Sequence, residues 1–173
     1  MKKSYTCWPE PHYPAKQRPP VAVVVFPALF LLFLAEPVVD AIANYSGWVT
    51  VVVIVSVLLY AATYIFAMWR GLYLPKLGRV GLVLLLTVFP VVLALLMDPA
   101  DLTYLTFAIV AAILQLPAVV GLVYGVAAAV AEMVLTGVVH GGADYRSGVI
   151  LLVITLTMFG VRMFEKQSGE LAL

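Results

Sequence analysis

Long uncharged apolar runs constrain this chain more than any other feature of its sequence. Residues 48–69 form a run of 22 without a charge, and residues 102–131 form a run of 30. An α-helix rises 1.5 Å per residue, so about 20 apolar residues cross the ~30 Å hydrocarbon core of a bilayer. Hydrophobic residues make up 64% of the 173 positions and charged residues only 11%. A water-soluble domain of this size could not bury so much apolar surface, so the sequence predicts an all-α, polytopic membrane protein.

The longest run, 102–139, is interrupted by one charge, Glu132, and contains one proline. As a single helix its 38 residues would extend about 57 Å, nearly twice the hydrocarbon core. Pro117 lacks the backbone N–H that a helix needs and disfavours helical geometry at Leu116. We therefore expect two helices here. The chain then has six expected transmembrane helices, at 21–39, 48–69, 80–97, 102–115, 118–139 and 148–163.

The basic residues support an even number of spans. With six, nine of the ten lysines and arginines fall on one side of the membrane: Lys2, Lys3, Lys16, Arg18, Arg70, Lys76, Arg79, Arg162 and Lys166. Only Arg146 falls on the other side. Basic residues are enriched in cytoplasmic loops, so we expect both termini in the cytoplasm and a multi-pass location in the cell membrane. Residues 1–20, which contain five prolines, are expected to form a flexible cytoplasmic tail.

Glu132 is the one acidic residue deep within an expected span. On a helical wheel Gly121 and Gly125 lie on its face, and small residues at this spacing let helices approach closely. We therefore expect Glu132 to face a neighbouring helix, protonated or hydrogen-bonded, and not lipid. Intramembrane ionisable groups are candidates for function, so Glu132 is either a sensor of ligand, protons or hydration, or a polar packing contact.

Other polar residues give weaker signals. Glu36 lies near Asp40 at the expected outer interface, where a cation or proton site and ordinary loop solvation are both open readings. The sequence lacks a phosphate-binding glycine loop, a nucleophile elbow, paired His or Cys ligands and a basic aromatic face. We expect no catalytic, cofactor or metal site in this chain and no nucleic-acid partner; its surroundings are membrane lipid.

The last span and the polar residues after it share one helical pattern. Ile154, Thr157, Val161, Phe164, Ser168 and Leu171 are spaced by three and four residues, which is a heptad seam that crosses the inner interface. Residues 164–173 are therefore expected to begin a cytoplasmic signalling helix, with Val161, Phe164, Ser168 and Leu171 on its seam. A short frayed tail is the alternative, because Gly169 lowers the helix propensity.

These features resemble the N-terminal membrane domain of DesK-like sensor histidine kinases of the actinobacterial type. The resemblance lies in the short apolar spans, the 102–117 segment followed by small residues, and the exit sequence 160–173. It implies a two-component sensor of the bacterial inner membrane, a homodimer that passes a membrane or ligand stimulus through its last helix to a cytoplasmic kinase domain or response regulator. The chain has no phosphoacceptor histidine box or ATP-binding domain, so the kinase part would lie outside it.

Two other functions remain open from the sequence. The number of spans also suits a small transporter or a substrate-binding membrane subunit, like the binding component of an energy-coupling-factor importer. Such a protein needs a polar cavity lined by several helices, and the spans offer Glu132, Gln115 and scattered hydroxyls for it. A structural membrane partner is the third possibility.

Overall fold

The computed structural model describes residues 8–9, 31–96, 104–140 and 145–171. Regular structure in these residues is entirely helical, which confirms the predicted all-α class. A 3₁₀ turn at Leu31–Leu34 leads into the first helix, and a second one at Gly71–Tyr73 separates two long helices. The α-helices are α1 (Ala35–Asn44), α2 (Trp48–Arg70), α3 (Lys76–Leu96), α4 (Leu105–Gln115), α5 (Ala118–His140) and α6 (Arg146–Leu171).

Four of the described helices, α2, α3, α5 and α6, are long and apolar enough to cross a membrane. Many of their large apolar side chains point away from the bundle: Leu58, Leu84, Val123 and Val153 are each more than half exposed. In water such a surface would be strongly unfavourable, whereas lipid tails solvate it. The fold is therefore compatible with a membrane protein.

The two short helices differ from the expected spans. α1 ends at Asn44, five residues beyond the expected end of the first span, and the side chain of Asn44 donates a hydrogen bond to Asp40. Residues 21–30 of that span, and the expected tail 1–20 apart from Trp8 and Pro9, lie outside the described residues. α4 has 11 residues, about 17 Å of helix, because Leu116 turns to an extended conformation before Pro117.

α4 is the centre of the bundle. It packs against α2, α3, α5 and α6, and eight of its eleven residues are buried. Its first turn is fixed to the middle of α2, where the hydroxyl of Tyr60 donates to the carbonyl of Tyr104 at 2.6 Å. The rings of Tyr60 and Tyr64 both pack edge-on against Phe107. Since Tyr60 lies about 15 Å along α2 from Arg70, α4 occupies only the half of the bundle nearest to Arg70.

We call that half's outer limit the basic end of the bundle, defined by Arg70, Lys76, Arg79 and Arg162. α2 and α4 end there, α3 and α5 begin there, and α6 passes through it. The long helices α5 and α6 pack against each other as an antiparallel pair. α1 packs against α2. The α2–α3 and α4–α5 connections thus both lie at the basic end.

Candidate functional site

Glu132 lies completely inside the protein, eight residues before the end of α5. The buried residues of α5 follow a single stripe: Gly121, Gly125, Ala128, Ala129, Glu132 and Thr136. This stripe packs against α4 and α6, so Glu132 is directed into the protein and not toward lipid. The hydroxyl of Thr136 donates to the backbone carbonyl of Glu132 at 2.8 Å, so the hydroxyl of Thr136 is satisfied by the backbone of its own helix.

The glycines of this stripe contact two different neighbours. A Cβ on Gly121 would lie 2.8 Å from the Cα of Ile113 in α4, whereas a Cβ on Gly125 would lie 2.5 Å from the side chain of Thr155 in α6. From the other side, Gly148 of α6 approaches the carbonyl of Ala129, with 2.9 Å between that oxygen and an added Cβ. Small residues therefore let α5 lie close to both helices at once.

Glu36 is not brought near Glu132. It is exposed in the first turn of α1, and α1 packs against α2, whereas Glu132 lies on the stripe that α5 buries against α4 and α6. The structure therefore does not join the two acidic residues in one site. Among the described residues, no group of three His, Cys, Asp or Glu side chains is placed to hold a metal ion.

The last expected span and the expected signalling helix form one continuous helix, α6, which we also call the exit helix. α6 runs from Arg146 to Leu171 without a break and includes residues 164–171. On the predicted seam, Val161 is 48% exposed and Phe164 is 71% exposed, so this face of α6 is not covered by the rest of the bundle. The backbone is helical at Ser168 and Leu171, but their side chains lie outside the described part of the structure.

Arg162 makes the contact that the sequence analysis missed. Its guanidinium donates hydrogen bonds to the carbonyl of Ile113 and, at 2.7 Å, to the carbonyl of Leu116. In a continuing helix the N–H of residue 117 would bind the carbonyl of Ile113, but Pro117 has no N–H. Arg162 supplies the missing donor from another helix. The sequence contains a signal for this need in Pro117, but it does not indicate which donor meets it.

Gln115 fixes the same turn to α2. It is almost fully buried, and its side-chain Nε2 donates to the carbonyl of Ala67 at 3.1 Å. The amide lies directly over Gly71, where an added Cβ would be 2.5 Å from Nε2. Its Oε1 is buried without a hydrogen-bond donor among the described atoms. From the sequence, Gln115 was expected only as a polar group within a span.

Arg79 organises the neighbouring turn in a similar way. It is 9% exposed and donates to the carbonyls of Leu74 at 3.1 Å and Leu72. A third hydrogen bond, 2.6 Å long, goes to the carbonyl of Pro9. Cations at Lys76 and Arg79 both lie about 6 Å from the ring of Trp8, which is within the range of cation–π attraction. Two of the arginines at the basic end therefore bind backbone carbonyls.

An open apolar groove of about 840 Å³ runs along the outer face of α5. It is lined by valine, leucine and alanine side chains at helical spacing between Leu122 and Val138. Such a lining suits hydrocarbon and offers no polar group to orient a hydrophilic ligand.

Polar side chains join the helices of the bundle to one another. Arg162 links α6 to the end of α4, Gln115 links the end of α4 to α2, and the hydroxyls of Thr87 and Tyr124 link α3 to α5 at 2.6 Å. Movement of one of these helices would strain a contact on another. No protein-family model matches this chain, and neither a curated protein nor a solved structure does.

Proposed function

We propose that this chain is a membrane sensor module that passes a stimulus from the bilayer or a ligand to the cytoplasm through α6. The observation that carries the proposal is the length of α6. Its 26 residues extend about 39 Å, longer than the hydrocarbon core, and the apolar part passes into a polar part without a break. A rigid helix transmits rotation or displacement from one part to the other.

The proposed topology has six crossings, with the basic end and both termini in the cytoplasm. The distribution of charge supports it, because nine of ten basic residues then lie inside. The six crossings comprise the four long helices together with the segments that contain α1 and α4. We place the protein in the bacterial inner membrane, as the resemblance to DesK-like sensors implies.

The proposed partners are a second copy of this chain and a cytoplasmic kinase domain or response regulator. The seam on α6 supports a parallel dimer, since Thr157, Val161 and Phe164 are exposed and repeat at the spacing of a two-helix coiled coil. A dimer would cover this apolar seam and would place the two exit helices side by side. The stimulus would then change the angle or rotation at which the helices emerge.

A kinase fusion tests the signalling role. The chain is fused at Leu173 to a histidine kinase core, and alanine insertions of one, two, four and seven residues are placed at the junction. Each residue rotates a helix by about 100°, so insertions of one and two residues shift the phase by about 100° and 200° and should change autophosphorylation strongly. Four residues leave a shift of about 40° and should change it less, and seven leave about 20° and should nearly restore it. Equal activity in all four insertions would contradict transmission through α6.

A transporter or substrate-binding role is less well supported by the geometry. It requires polar side chains from several helices around one cavity. In the described bundle the groove beside α5 is apolar, and the buried amide of Gln115 is held against α2.

A further inference from the structure

The turn between α4 and α5 leaves backbone carbonyls that need donors. The last carbonyls of any helix have no partner within it. In α4 the N–H of Leu116 still binds the carbonyl of Ala112 at 2.9 Å, but Pro117 provides nothing for Ile113. Gly121 brings the first turn of α5 against this same residue. Water has little access to such a turn, so the donor must come from the protein.

The donor comes from α6. Arg162 is a permanent cation, and the carboxyl-terminal end of a helix carries partial negative charge, so the contact is favourable in sign as well as in hydrogen bonding. It binds two carbonyls at once, Ile113 and Leu116, which fixes the position of the guanidinium more tightly than one contact would. α4 itself is held to α2 at both ends, by Tyr60 at its start and Gln115 at its end.

The structure assigns Arg162 to a releasable clip that holds the exit helix in one register against α4. A hydrogen bond tolerates a displacement of only a few tenths of an ångström. Rotation of α6 by one residue or sliding by one turn, ~5.4 Å, would break both contacts. The clip therefore fixes the position of α6 against α4. The inference that release of this contact changes signalling rests on the proposed function. The contact of Arg162 with α4 does not depend on it.

Distance measurements between spin labels test the clip without a kinase. The labels are placed at Leu77, which is 86% exposed at the start of α3, and at Phe164 on α6, in a chain with Cys7→Ser as its only other change. The labelled chain is diluted with excess unlabelled chain, so that distances within one chain dominate. Pulsed electron paramagnetic resonance in lipid nanodiscs should then give one main distance when Arg162 is present. Arg162→Gln and Arg162→Met should each add a population displaced by up to ~5.4 Å, one helical turn.

Two further variants make the test specific. Arg162→Lys keeps a charged donor and should stay mainly at the original distance. Lys76→Gln removes the same charge from the basic end, where the exposed Lys76 faces the ring of Trp8, and should leave the distance unchanged. If the Gln or the Met variant folds and its label distance is unchanged, the clip is overturned. A Lys variant whose label distance shifts as far as that of the Gln variant would also overturn it.

The same substitutions in the kinase fusion separate the two proposals. A distance shift without any change in autophosphorylation would leave the clip in place and contradict signalling through α6. A fusion that responds to junction phase while Arg162→Gln leaves the distance unchanged would support signalling and contradict the clip.

Discussion

Gln115 illustrates how a single buried amide is tolerated inside an apolar bundle. Its Nε2 binds the carbonyl of Ala67, which also accepts the backbone N–H of Gly71. The carbonyl is therefore satisfied even without the side chain. The cost of Gln115 lies in its Oε1, which is buried with no donor from the described residues. A buried acceptor of this kind costs about 1–3 kcal/mol.

Two substitutions at Gln115 should therefore differ in their effect on stability. Gln115→Leu keeps the volume and removes both the hydrogen bond and the unsatisfied acceptor, so the free energy of unfolding should stay within about 1 kcal/mol of the original. Gln115→Glu replaces the donor with an acceptor facing a carbonyl and should destabilise by about 2–5 kcal/mol. Unfolding in detergent micelles, followed by tryptophan fluorescence, measures both. Equal stability of the Glu variant, measured at a pH high enough to ionise the carboxyl group, would contradict donation from Gln115 to Ala67.

At the scale of elements, the contact between α4 and α5 depends on Gly121. An added Cβ would lie 2.8 Å from the Cα of Ile113 and 3.0 Å from the carbonyl of Ala112, and neither backbone atom can rotate away. Gly121→Ala should therefore push the helices apart and destabilise by about 1–3 kcal/mol.

Gly160 on α6 is the matched control for Gly121, because nothing lies within 4 Å of its Cβ position. Gly160→Ala should leave stability unchanged or raise it by about 0.5–1 kcal/mol through helix propensity. Melting temperatures of the two variants provide the comparison. A Gly121→Ala variant as stable as Gly160→Ala would be inconsistent with the close approach of α4 and α5.

The elements also show where sequence patterns stop being sufficient. Pro117 indicates a break between two helices, because the loss of one N–H is a local property of the chain. The position of α4 along the bundle, in contrast, does not follow from residues close in sequence. It begins beside Tyr60, halfway along α2, because a hydroxyl and an aromatic cluster from α2 and α4 meet there. Only the packing of the two helices relates Tyr60 to Tyr104, 44 residues later.

At the scale of the whole molecule, the proposed topology predicts opposite labelling of two exposed positions. Leu77 at the basic end should be cytoplasmic, and Tyr145 before α6 should be external. Single-cysteine variants Leu77→Cys and Tyr145→Cys, each with Cys7→Ser, are treated in intact cells with a membrane-impermeant maleimide. Tyr145→Cys should react at once and Leu77→Cys only after permeabilisation. The same labelling of both positions before permeabilisation would rule out the proposed arrangement.

The sequence by itself determined the helical class, the apolar segments and the break at Pro117, because hydropathy and backbone chemistry act over a few residues. It placed Glu132 on the same helix face as Gly121 and Gly125 for the same reason, since helical periodicity is local. The tertiary structure alone decided which neighbours those residues meet, that Arg162 binds the carbonyls freed at Ile113 and Leu116, and that Gln115 reaches Ala67. The hydrogen bonds of Arg162 and Gln115 join residues 46 to 49 positions apart, and the glycine contacts join separate helices that pack together. Charge and hydropathy show that a polar group must find a partner, whereas only the fold brings a particular partner within hydrogen-bond distance.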